Sequence, residues 1–224
     1  MMDSIPFVFK IAIVVAAALL LGWIYLSYYR RDRKRSHHML DGFLDVLGEP
    51  RTGLSPWGYE VVEGLLDGRP VRVSLIPDSL ITRTLPTLWL EARWASGHDA
   101  WLCVIAQCNG MEYFSEDVDE GQRLNLSADW PDSTVARGKG PQSRALARRL
   151  RAMDLEAHRD LKMVTLSETE TKVIMRCARG DVPVYRVLRS ADFPADAVKP
   201  ELVQETVRVL RDIELALRAE EEVA

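Results

Sequence analysis

The chain is poor in the residues that usually announce chemistry. Its 224 residues include three cysteines, Cys103, Cys108 and Cys177, and four histidines, His37, His38, His98 and His158. An odd cysteine count without a C-x-x-C pair excludes a fully paired disulfide framework and fits a reducing compartment. Cys103 and Cys108 stand five apart, so on one strand they face opposite sides and cannot share a metal. His37 and His38 lie beside a run of bases and are expected to be solvated, and no zinc spacing occurs. Also missing are a G-x-S-x-G elbow, an H-E-x-x-H helix, the kinase signatures and a G-x-G-x-x-G turn after a strand. A Cys/His nucleophile could come only from Cys103 or Cys108 with His98 or His158, and an apolar strand cysteine reads first as a small core residue. No catalytic residue, metal or cofactor is assigned, and the chain reads as a binding protein before an enzyme.

A large excess of charge is missing as well. The formal net charge is −4, from 29 Lys/Arg and 33 Asp/Glu, but it conceals two unlike parts. Residues 1–35 carry six Lys/Arg and two acids, a net +4, whereas residues 36–224 carry 23 and 31, a net −8. An acidic domain is a poor nucleic-acid binder, because phosphate neutralisation dominates that affinity, so no nucleic-acid partner is expected.

What is present is one long apolar run, Ile11 to Tyr29, with Lys10 before it and Arg30, Arg31, Asp32, Arg33, Lys34 and Arg35 after it. As a helix these 19 residues cover about 28 Å, close to the hydrocarbon thickness of a bilayer. Backbone amides in lipid must bond within their own segment, and Ala16 to Leu21 has the helix propensity to do so. Trp23, Tyr25, Tyr28 and Tyr29 crowd the end that meets the arginines, where amphipathic rings favour the headgroup zone. The run is therefore expected to be a single transmembrane helix. The cation bias predicts residues 1–10 outside and the C-terminal domain in the cytoplasm, with a bacterial inner membrane as the fitting location. A cleaved signal peptide would have a shorter apolar region and small residues where this chain has arginines. The collar, Arg30, Arg31, Arg33, Lys34 and Arg35, is expected to meet lipid headgroups and to set orientation.

Beyond the span, residues 30–58 read as the collar plus a connecting helix, His38 to Leu47, with Leu40, Phe43, Leu44 and Leu47 on one stripe. Residues 59–224 read as one α+β domain: a mainly antiparallel sheet with two long helices packed on one face. Its clearest local signal is Tyr59 to Leu66 and Arg69 to Ile76 joined by Asp67-Gly68, a hairpin whose turn requires positive φ. Leu88 to Trp94 and Trp101 to Gln107 extend this to a four-stranded meander. A second hairpin joins Leu161–Ser167 to Lys172–Cys177, and short strands are expected at Arg123–Ser127 and Pro183–Leu188. The helices are expected over Pro141–Arg159 and Lys199–Glu222, the latter with Val203, Val207, Leu210, Ile213 and Leu217 as its apolar stripe.

Two surfaces are candidates for binding. Arg137, Gly138, Lys139, Gly140 and Ser143 precede a helix, where free amides and the dipole favour an anion, although the spacing is not that of a Walker A loop. Arg144, Arg148 and Arg151 form a basic ridge on that helix, expected to pair with Asp and Glu of the preceding loop or last helix, with lipid headgroups as the alternative. Asp117, Asp119 and Glu120 form an acidic cluster without the glycine or spacing of an EF-hand. The favoured function is a membrane-tethered interaction or assembly factor with another membrane protein as partner, Trp57, Trp89 or Trp130 being possible exposed anchors. The alternative is an anion- or nucleotide-responsive domain or enzyme using the Arg137–Ser143 loop. No oligomeric state follows from the sequence.

Overall fold

The computed structural model describes residues 7–35, 38–56, 58–78, 86–106, 121–155, 157–180 and 193–218; in the first helix, side chains are described at 11–24, 26 and 27. That helix, α1, is continuous over Phe7–Arg35, 29 residues and about 43 Å at 1.5 Å per residue. Its apolar side chains are open to the surroundings on every side: Val14 is 67% exposed, Leu19 70%, Leu21 66% and Trp23 67%. Among the described residues no helix is long and apolar enough to cross a membrane. The described side chains of α1 run unbroken only over 11–24, a shorter stretch than the apolar run in the sequence.

The rest is α+β. Nine strands form one antiparallel sheet: β1 Gly48–Leu54, β2 Glu60–Leu66, β3 Arg69–Asp78, β4 Thr87–Ala95, β5 Trp101–Ile105, β6 Gln122–Arg123, β7 Val135–Lys139, β8 Leu161–Leu166 and β9 Glu170–Arg179. Their spatial order is β1-β2-β3-β4-β9-β8-β5-β7-β6. The helices α2 Asp41–Leu44, α3 Ser143–Arg151 and α4 Pro200–Arg218 cover one face. The main core lies between them and that face, where Val62, Val73, Leu90, Val173, Val164 and Leu102 from the strands meet Phe43, Leu150, Val203, Leu210 and Ile213 from the helices. The alternation of apolar residues along the strands dictates this, since side chains two apart share a face.

The β2–β3 hairpin forms as the sequence requires, with Asp67 at φ 51° and Gly68 at φ 81°, the doubly positive turn that matches strand twist. β3 nevertheless runs through Pro77 to Asp78, because Pro77 pairs with Leu88 at the end of the ladder. Three other expectations need correction. The four-stranded meander is β1 to β4 and does not reach β5, because β4 pairs with β9 and the β8–β9 hairpin lies between β4 and β5. The connection over 96–100 crosses the end of that hairpin, held by backbone bonds from Ser96 to Thr169 and from His98 to Ser167. Among the described residues only one of the domain helices is long, α4. α3 ends at Arg151, where Ala152 and Met153 bond to Arg149 and Leu150 in a tightened last turn and Met153 and Leu155 drop into the core. The sheet also begins earlier than residue 59, since β1 lies within the stretch read as a connector, and α2 is a single turn whose Met39, Leu40, Phe43 and Leu47 are buried. The strand expected at Pro183–Leu188 lies outside the described residues.

Candidate functional site

The face of the sheet away from the helices is built on one cross-strand row. Successive Cα partners run Arg51, Glu63, Arg72, Arg93, Lys172, Thr165, Cys103, Arg137 and Arg123 through all nine strands. Like charges directly opposite one another repel, so six cations and one acid in a line need help from neighbouring rows. At the β1 side that help is visible. Arg72 Nη1 lies 3.3 Å from Glu63 Oε1, both half exposed. Arg93 forks onto Glu91, donating Nε to Oε1 at 2.6 Å and Nη2 to Oε2 at 2.9 Å, and donates Nη1 to Glu170 at 3.1 Å. Glu91 is buried, and the Ser74 hydroxyl donates to it at 3.3 Å. Bidentate, charge-assisted pairs of this kind fix geometry as well as adding energy.

These side chains line a groove of about 950 Å³ across β1 to β4 and the start of β9. Next to it Lys172 is buried, and desolvation, followed by the Arg93 charge, pulls its ammonium below the usual lysine range. Farther along, Trp89, Cys103, Ile105, Met163 and Ile174 make a second, smaller apolar cluster on the same face. Burial pushes the Cys103 thiol up, away from reactivity. The face therefore has an open charged groove over β1 to β4 and a buried patch around Cys103, with Arg137 and Arg123 on the strands beyond it. At the rim, β1 is exposed along its whole length and, among the described residues, pairs only with β2, whereas the opposite edge strand, β6, has two residues.

The expected anion loop is divided by this geometry. Arg137 and Lys139 lie on β7 and point to the open face: Arg137 is opposite Cys103, and Lys139 Nζ sits 5.4 Å from the Trp101 ring centre. Gly138 points to the helical side, where a Cβ would meet Ser143 at 2.5 Å, so only glycine fits under the first turn of α3. Ser143 is buried and donates its hydroxyl to the Gly140 carbonyl at 2.9 Å, and Gly140 takes φ +82°. The sheet backbone thus separates the two cations from the helix N-terminus. The strand β7 itself was hidden in the sequence by Gly138 within it and Gly140 directly after it.

Of the basic ridge, Arg151 reaches the loop before β7, with Nε and Nη2 on the Asp129 carbonyl and Nε 3.3 Å from its carboxylate. Arg144 and Arg148 are exposed. The collar residues Arg30, Arg31, Arg33, Lys34 and Arg35 continue α1 as helix, and their side chains lie outside the described ones. Trp89 and Trp130 are buried, so neither is a surface anchor, and Trp57, Cys108, Asp117, Asp119 and Glu120 lie outside the described residues. Among the described residues no group of three or more His, Cys, Asp or Glu could hold a metal.

One cluster had no local sequence signal. His158 is buried, with Nδ1 2.5 Å from Glu205 and Nε2 3.5 Å from Asp212, so it clasps the segment before β8 to α4. Its partners are 47 and more residues away, and only tertiary packing brings them together. Compared with protein-family models, curated proteins and solved structures, the chain matches none.

Proposed function

We propose that the chain is a single-pass membrane protein: residues 11–29 span the bilayer, Arg30, Arg31, Arg33, Lys34 and Arg35 sit at the inner headgroups, and the α+β domain works in the cytoplasm as an interaction or assembly factor. The observation that carries the reading is α1, one helix whose described apolar side chains are exposed all round. Leaving a Leu, Ile or Val side chain in water forgoes about 1.5–3 kcal/mol each, so a helix of this kind calls for lipid around it.

The partner is another membrane protein, and the open face of the sheet receives it. Its groove offers arginine forks whose carboxylate partners could be exchanged for those of an incoming segment, and the β1 edge beside it can accept a further strand. Tethering makes a weak contact sufficient, because both proteins share one surface. The test is photocrosslinking of the full chain in native membranes from Arg72, in the groove. A discrete adduct with one membrane protein is expected. Recovery of uncrosslinked monomer from that position, with no adduct above background, would remove the partner reading.

A further inference from the structure

We propose that the outer surface of the helical layer, α3 with α4, rests on anionic lipid, so that the groove on the opposite face of the sheet points away from the membrane. The inference builds on the proposed anchor. After Pro200 the exposed positions of α4 form one stripe, Glu201, Gln204, Arg208, Arg211, Leu215 and Arg218. Of its four acids, Glu205 and Glu214 are 20% and 25% exposed and lie on the flanks beneath the arginines they pair with, Asp212 reaches back to His158, and Glu201 stands at the far N-terminal end of the stripe. Leu215 is 65% exposed and is a large apolar side chain standing among those arginines. α3 packs against α4 and turns Arg144 and Arg148 outward from the same layer. α3 itself, Ser143–Arg151, carries four arginines and no acid, in a domain of net −8. Arginines around one exposed leucine suit an anionic lipid surface, which rewards each cation and accepts a shallow apolar side chain.

The tether makes the same point from the other side. Met39 and Leu40 are buried, and the Leu40 amide donates to Glu60 Oε2 at 3.1 Å, so the chain is fixed within four residues of the end of α1. At ~3.5 Å per residue, that reach is about 14 Å. The chain enters the domain through α2, a turn of the helical layer that packs on α4 and on the adjoining β1, so that end of the layer is held near the end of α1.

The test uses the full chain in vesicles of phosphatidylcholine alone or with phosphatidylglycerol, with a benzophenone side chain at Leu215 and, in a second sample, at Thr52 on the β1 edge. Lipid adducts at Leu215 should be on the order of tenfold more abundant with phosphatidylglycerol, and should fall when salt is raised. Arg144→Gln with Arg148→Gln should lower them, and Arg144→Glu with Arg148→Glu should lower them further, with circular dichroism unchanged. Thr52 should give background only. Equal adducts at the two positions, adducts at Leu215 that ignore lipid charge, or adducts at Leu215 with a protein in place of lipid would each overturn the proposal. A chain that fails to float with neutral vesicles would instead refute the anchor, so the two failures are distinct.

Discussion

α1 and α4 are the two long helices, and they solve the problem of an apolar surface in opposite ways. α4 buries Leu202, Val203, Val207, Leu210 and Ile213 along one stripe and gives its other side to charged residues. α1 has no such division over 11–24, and it takes no part in the principal packing contacts of the domain. A helix with one apolar stripe is folded by its neighbours, while a helix apolar all round takes its stability from the medium around it. The proposal that lipid is that medium can be broken or sharpened by substitutions that touch one helix and spare the other.

The largest effect is expected for Ile213→Asp, which buries an unpaired charge under the sheet. Thermal melting should show no cooperative domain transition, while the chain stays in the membrane fraction. The converse is Leu20→Arg, expected to oppose insertion by roughly 3 kcal/mol and to leave the melting of the domain unchanged. If either substitution moved both readouts together, the separation between the helices would fail.

Smaller effects test the open face. Glu91→Ala strips Arg93 of its fork, keeps its bond to Glu170, and should cost about 2 kcal/mol in denaturant melts. Lys172→Met should act in the other direction and stabilise by about 1 kcal/mol at neutral pH. The Lys172 ammonium is disfavoured in the fold, so its penalty is complete below its lowered folded value and is relieved as pH rises through that value toward 10.5. The wild type should therefore gain stability over that alkaline window, and Lys172→Met should lose the gain. The smallest change is expected for Asp67→Asn. The Arg211 side-chain hydrogen bond holds the Asp67 carboxyl below its ordinary 3.8, and the pair is solvent-exposed. Its contribution is present above pH ~3.8 and fades as pH falls through the lowered value, so the variant should differ from wild type near neutrality and converge with it in acid.

The parts of this fold that were legible in the sequence are those set by neighbours in the chain. Asp67-Gly68 fixes a turn by its own backbone preference, and the 3.6-residue spacing of Val203, Val207, Leu210 and Ile213 fixes the buried stripe of α4. The order of the strands was not legible, because nothing within β4 or β5 records that β8 and β9 come between them. The strand β7 was read as loop because Gly138 breaks its short alternation and Gly140 follows it at once, and the reason for Gly138 is a contact with Ser143 across a turn. Glu91 and Arg93 were legible as the polar side of a strand, yet the third member of their network, Glu170, lies 77 residues from Arg93. For the same reason the charged row had no signature: its members come from nine separate segments, and nothing within any one segment records which residues the registers bring beside it.

Alkaline carbonate washing of membranes that carry the full chain tests the central claim most directly, since it strips proteins held by charge or by partners and leaves those held by a helix within lipid. The account predicts that the chain stays with the bilayer pellet. Its release into the supernatant, with a control integral protein retained, would contradict it.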